Sequence, residues 1–155
     1  PEIIDRVVKT LGHIGLDPCS NAKSDLANVP AKIHYTKEDN GLSKTWQGNV
    51  FLNPPYGREI KQWTNKLLQE FNRHFVSKAI VLVPARTDTR WFQDLLTNEY
   101  STVCFVTGRL KFSNNKSGAP FPSAIFYFGW NTKEFCENFS DIGIICFRKD
   151  QINVR

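Results

Sequence analysis

Asn49-Val50-Phe51-Leu52-Asn53-Pro54-Pro55-Tyr56-Gly57 is the stretch on which the reading of this 155-residue chain turns. Val50, Phe51 and Leu52 form a short apolar run of the kind found in a strand buried on both faces. The run stops at Pro54-Pro55, because proline has no N–H to donate to a ladder. Pro55 also drives Pro54 toward an extended conformation. A stiff turn is therefore expected at the carboxyl end of a strand, carrying a carboxamide (Asn53), a carbonyl (Pro54) and an aromatic ring (Tyr56). In open α/β sheets, ligands bind at that end of the strands.

Those groups suit the grip of a planar base by its exocyclic amine. The lone pair of an adenine amine is delocalised into the ring, which makes the nitrogen a poor nucleophile. Two acceptors, the Asn53 side-chain oxygen and the Pro54 carbonyl, can hold both N–H bonds and favour a pyramidal nitrogen, with Tyr56 stacked on the ring. The same residues also make an ordinary helix-entry turn, since Asn and Pro-Pro are common loop punctuation. Their position directly after an apolar strand favours the chemical reading.

Composition bounds the rest. The length suits one domain, 1–155, with a single core and no separate target-recognition domain. The chain is 41% hydrophobic and 23% charged, as in an ordinary globular protein. No apolar run approaches a membrane span and no signal-peptide pattern opens the chain, so no membrane partner is expected. Met is absent, which reads as a chain trimmed at the N-terminus. A net charge of +5 and a pI near 9.1 permit a polyanionic partner. Cys19, Cys104, Cys136 and Cys146 have no paired ligand spacing, and three sit in or beside apolar stretches, so buried reduced thiols are expected. His13, His34 and His74 have none either, so no metal is assigned. The expected compartment is cytoplasmic, and oligomeric state is unreadable.

Along the chain, apolar residues at 3, 4, 7, 8 and 11 mark a helix face behind Pro1. Residues 13–17 read as a strand ending in Asp17, followed by the polar turn Pro18-Cys19-Ser20-Asn21. A second strand is expected over 31–36 and a helix over 60–75. The clearest buried strand, 78–83, leads into Pro84-Ala85-Arg86-Thr87-Asp88-Thr89, which resembles a capping segment for a helix around Trp91. Strands over 101–107 and 123–128, a helix over 132–139 and a last strand over 142–147, suited to a sheet edge, complete the pattern. Strands alternating with helices predict an α/β fold with a mostly parallel sheet flanked by helices. The link from Phe112 to Ser123 is too short for a crossover helix, so an antiparallel pair is expected late in the chain.

With these residues placed, the chain resembles phage-type DNA N6-adenine methyltransferases, which use S-adenosylmethionine and have a Rossmann-like methyltransferase fold. The resemblance rests on Leu16-Asp17-Pro18-Cys19-Ser20, Asp39-Asn40-Gly41-Leu42 with Trp46, Asn53-Pro54-Pro55-Tyr56, Pro84-Ala85-Arg86-Thr87-Asp88-Thr89-Trp91 and Gly108-Arg109-Leu110-Lys111-Phe112, in that order, and spans position 1 to about 128. Family members carry a Thr-Pro ahead of the first helix, whereas this chain begins at the Pro. The resemblance implies transfer of a methyl group from S-adenosylmethionine to adenine N6 in DNA, with the base flipped out. It implies catalytic roles for Asn53, Pro54, Pro55 and Tyr56. Cofactor contacts would fall to Asp17, Pro18, Cys19, Ser20 and Asp39. DNA contacts would fall to Arg86, Arg109, Lys111 and to Phe112, the aromatic facing the base opposite Tyr56. It places the protein in a bacterial or phage-infected cytoplasm.

Several alternatives stay open on the residues alone. Asp17 also suits a helix cap, Asp39 a simple turn, Arg86 and Arg109 a solvated surface, and Phe112 a core. The glycine-rich loop common after the first strand of methyltransferases is missing. The same amine clamp serves cytosine-N4 and protein glutamine amide methyltransferases, and a DNA-binding module with a decayed methyltransferase core is a further reading.

Overall fold

The computed structural model describes residues 2–111, 118 and 120–148. In chain order, α1 (Glu2–Leu11) leads to β1 (Ile14–Asp17), β2 (Ala31–His34) and β3 (Gly48–Leu52). Then come α2 (Ile60–Asn72), β4 (Val76–Pro84), α3 (Arg90–Thr97), β5 (Ser101–Val106), β6 (Ser123–Phe128), α4 (Thr132–Phe139) and β7 (Gly143–Phe147). The seven strands form one sheet in the order β2-β1-β3-β4-β6-β5-β7.

Period-two alternation sorts the side chains into two cores, one on each face. Val50, Leu52, Val81 and Val83 pack with Leu67 and Phe71 of α2 and Phe92 and Leu95 of α3. Phe51, Ile80 and Leu82 pack with Val7 and Leu11 of α1 and Phe135 and Phe139 of α4. Polar ties hold α1 to this frame. Asn49 Nδ2 donates to the carbonyls of Leu11 and His13 at 3.0 and 3.3 Å. Arg6 Nη1 donates to the Asn138 carbonyl and to Asp141, each at 2.6 Å. Two expectations shift slightly. The helix foreseen to position 75 ends at Asn72, where His74 turns left-handed at φ 67°. Trp130, which reads as core among apolar neighbours, is 80% exposed. The Thr89 cap is found as expected, its side chain accepting from the Phe92 N–H at 3.3 Å.

The sheet is mixed, and the expectation of a mostly parallel one holds only in part. β1–β2, β1–β3 and β3–β4 are parallel. β5 and β6 are antiparallel, as the short link between them requires, but so are β4–β6 and β5–β7, and these ladders pair more residues than the parallel ones. The reason lies in β6. Every residue of Ser123–Phe128 is buried, so the strand needs cover on both faces and enters the interior between β4 and β5. β7 alternates between exposed and half-buried residues and takes the edge.

From β1 the chain steps outward to β2, then returns to the opposite side of β1 to form β3. That reversal opens a crevice at the carboxyl ends of β1 and β3. The register brings the carboxyl ends of β4 and β5 and the start of β6 to the same edge of the sheet.

Candidate active site

Asp17 ends β1 at the reversal point and is only 3% exposed. Its Oδ1 accepts the Cys19 N–H at 3.2 Å, an Asx-type turn that bends the loop back. The loop is stitched to β2: Tyr35 N–H donates to the Asp17 carbonyl at 3.0 Å and Ser20 N–H to the Tyr35 carbonyl at 2.9 Å. Desolvation raises the Asp17 carboxyl to about 6, against the Cys19 and Ser20 hydrogen bonds and the pull of His34. Burial, with Asp17 beside it, pushes the Cys19 thiol well above its usual range, which makes Cys19 an inert thiol.

One strand over, Asn53 is half-buried and Pro54 buried, whereas Pro55 and Tyr56 face outward. Gly57 takes φ 114° and lets the chain turn into α2. The Tyr56 hydroxyl donates to Asn53 Oδ1 at 3.3 Å, and desolvation pushes that phenol up to about 12, so it remains a donor. The Tyr56 ring meets Phe121 edge to face with centroids 5.1 Å apart. Phe121 also carries the Arg86 guanidinium 5.9 Å from its ring centre. Sequence reading overlooked Phe121. Its signal was faint: an aromatic between two prolines just ahead of a buried strand.

A cavity of about 630 Å³ opens between these loops, lined by Pro18, Cys19, Ser20, Thr36, Asn53, Pro54, Tyr56 and Trp63 among others. A second, of about 940 Å³, runs along the α1 face past Ile14, Phe51 and Leu82 and reaches Asn53 and Lys111. Asn53 borders both. Asp39 lines neither, and nor does Asp17, which sits just behind the wall that Pro18, Cys19 and Ser20 give the smaller one. The Asp39 carboxylate accepts from the Thr36 N–H at 2.9 Å and pairs with Lys23 at 3.0 Å, and these two partners hold it below the usual range. It closes the turn from which Thr36, Lys37 and Asn40 reach the smaller cavity.

The rest of the Asp39-Asn40-Gly41-Leu42 and Trp46 segment builds the cavity wall. Trp46 is fully buried, its Nε1 donating to the Gly41 carbonyl at 2.9 Å and its ring stacked 6.0 Å from Trp63. A Cβ on Gly41 would stand 2.5 Å from the Pro18 carbonyl oxygen, so only glycine lets the two loops meet. Glu70, 3% exposed, accepts the Trp46 N–H at 3.0 Å and is balanced by Lys66 and Arg73, each at 3.7 Å. Trp46 and Glu70 are structural supports that periodicity could not flag, because each is defined by a partner distant in sequence.

Arg86, Arg109 and Lys111 are all exposed, following β4 and β5 on the edge that carries Asn53. Phe112 lies outside the described residues.

The family model described as DNA N-6-adenine-methyltransferase (Dam) matches residues 2–125 of the chain. The chain belongs to this family. The match runs from α1 to the middle of β6 and takes in the reversal-point crevice, Asn53, Phe121, Arg86, Arg109 and Lys111. No curated protein matches the chain. Among the described residues of this Dam-family member, no group of three or more His, Cys, Asp or Glu is arranged to hold a metal ion. No helix among them is long and apolar enough to cross a membrane.

Proposed function

We propose that the chain is a single-domain enzyme of Rossmann-like build that methylates N6 of an adenine flipped out of DNA, using S-adenosylmethionine, in a cytoplasmic compartment. The observation that carries this reading is that Asn53 borders both cavities at the sheet's reversal point. Pro54, Tyr56 and the loop of Pro18, Cys19 and Ser20 line the smaller cavity beside it, so a methyl donor and a base held there would meet at its carboxamide, which is the alignment a direct transfer needs.

The residues present fit the cofactor. Asp17 is a desolvated carboxyl that makes no ion pair with any described residue, which suits the ammonium of an amino-acid moiety. Pro18, Cys19 and Ser20 form part of the smaller cavity's wall in place of a glycine-rich loop. When bound, S-adenosylmethionine supplies an electrophilic methyl group on a sulfonium. Asn53 Oδ1 has lone pairs enough for both the Tyr56 hydroxyl and one amine N–H, and the Pro54 carbonyl accepts the other. Both N–H bonds being held, the nitrogen lone pair turns out of the ring plane, and its surplus proton leaves to water after transfer. No covalent enzyme intermediate is required. A base inside the duplex stack cannot reach this crevice, so extrusion accompanies binding. Arg86, Arg109 and Lys111 would take backbone phosphates, which orient the duplex without reading its sequence.

Single-turnover methylation of plasmid DNA with labelled cofactor tests the reading. Asn53→Ala removes an acceptor that matters most as charge develops on nitrogen. By analogy with oxyanion-hole deletions it should slow transfer by about two to three orders of magnitude. Cofactor and DNA should still bind within a few-fold of wild type. Label on cytosine N4 or on a protein amide, or near-normal rates in Asn53→Ala, would refute it.

A further inference from the structure

We propose that Phe121 is a positioning residue that couples the grip on the DNA backbone to the grip on the target base; this rests on the adenine-methylating function proposed above. The β4–β6 ladder sets the arrangement. Val83 pairs with Ala124 and Pro84 with Ser123, and the Ala85 N–H then donates to the Pro122 carbonyl at 2.8 Å. One residue further, the same antiparallel register puts Phe121 across from Arg86.

The backbone of Arg86 is held on both sides. Its N–H donates to the Pro84 carbonyl at 2.8 Å, and its carbonyl accepts the Thr89 hydroxyl at 2.7 Å. Only its long side chain is left to choose a direction, and an exposed arginine has many rotamers to lose on binding. The Phe121 ring, 5.9 Å from the guanidinium, narrows that choice. The same ring braces Tyr56 at 5.1 Å and 81°, and the Tyr56 hydroxyl reaches Asn53 at 3.3 Å. Arg86, Phe121, Tyr56 and Asn53 thus form one contact path from an exposed phosphate-seeking charge to the amine acceptor. Removing the ring leaves every charge and acceptor in the protein but takes away the platform shared by Arg86 and Tyr56.

The test compares Phe121→Leu, Phe121→Tyr, Arg86→Ala and the Phe121→Leu/Arg86→Ala double variant in the full chain. Thermal unfolding and cofactor calorimetry serve as fold controls. Anisotropy titrations of a labelled random-sequence duplex over a salt series read the phosphate contact. Phe121→Leu should lower the salt slope by about one phosphate, as Arg86→Ala does. The double variant should lower it no further, because the two residues act as one unit. Phe121→Leu should also raise KM for DNA by about tenfold, Phe121→Tyr should restore it, and cofactor affinity should stay at the wild-type value. A wild-type slope and KM in Phe121→Leu, or additive losses in the double variant, would overturn the proposal and leave Phe121 a packing residue. A wild-type chain that methylates adenine beside an indifferent Phe121→Leu removes this inference alone. A wild-type chain that neither binds nor methylates DNA overturns the function itself and the coupling with it.

Discussion

Replacing Asp17 by Asn should stabilise the cofactor-free protein at neutral pH while destroying its affinity for S-adenosylmethionine. The carboxyl is 3% exposed, and burial raises it from the ordinary 3.8 to about 6. An acid raised in the folded state is costly wherever the unfolded chain would ionise it freely. Between pH ~4 and ~6 the native state binds more protons than the unfolded one, so wild-type stability falls as pH rises through that window and levels off above it. The full difference corresponds to about 3 kcal/mol. Asn keeps the oxygen that accepts the Cys19 N–H but loses the carboxylate's charge-assisted bonds to Cys19 and Ser20, which offsets about 1 kcal/mol.

Urea titrations of both proteins from pH ~4 to ~8 measure this directly, since the denaturant midpoint follows stability at fixed slope. Asp17→Asn should be more stable by about 2 kcal/mol near pH ~7.5, with the gap closing toward pH ~4. Calorimetry should show the reverse for function: cofactor affinity lost in Asp17→Asn, and in the wild type weakening as pH drops below ~6, where the carboxyl gains its proton. Parallel pH profiles for the two proteins would refute the reasoning. So would an Asp17→Asn protein less stable than wild type at pH ~7.5, since that would mean the acid already has a cationic partner.

Two further outcomes test the wall around the smaller cavity. Gly41→Ala puts a Cβ 2.5 Å from the Pro18 oxygen and 3.1 Å from the Trp63 ring, so overpacking should cost about 1–3 kcal/mol in urea titration and weaken cofactor binding by displacing the Pro18 loop. Glu70→Ala leaves the buried Trp46 N–H without its acceptor and should cost about 1–3 kcal/mol with little effect on DNA affinity, as chemical unfolding and anisotropy would show.

Where each strand and helix lies could be read from local pattern, because one buried face at a fixed period leaves a trace in the residues themselves. The antiparallel relation of β5 and β6 followed from the length of their link alone. The place of β6 did not. Residues 123–128 carry six positions without a polar face, and that continuity, read as a demand for cover on both sides, argues for the middle of a sheet. The alternating exposure of β7 is the complementary sign of an edge. The mostly parallel expectation missed this because it ranked strands by their order in the chain. A sheet ranks them by how much of each must be hidden.

The site divides along a similar line. In the proposed site, Asn53, Pro54 and Tyr56 could be singled out from sequence because their chemistry is local: an acceptor, a carbonyl without a competing N–H and a ring, at one strand end. Phe121 could not be singled out, because nothing in Pro120-Phe121-Pro122 marks it apart from an ordinary loop aromatic. Its meaning comes from Arg86, paired with it only through the β4–β6 ladder, and from Tyr56, brought in by a third strand. Asp39 is the opposite case. It sits in a motif and beside a cavity, yet its oxygens face Thr36 and Lys23. A carboxylate already held by a backbone N–H and a lysine has less acceptor capacity for a cofactor amine, and exchanging those bonds for new ones gains little net free energy. The residues with most to gain from a ligand are the ones the protein leaves short of partners. Within the Asp17 to Trp46 segment, Asp17 is the buried acid whose ionisation its Cys19 and Ser20 hydrogen bonds only partly offset, so a cation beside it would lower that cost.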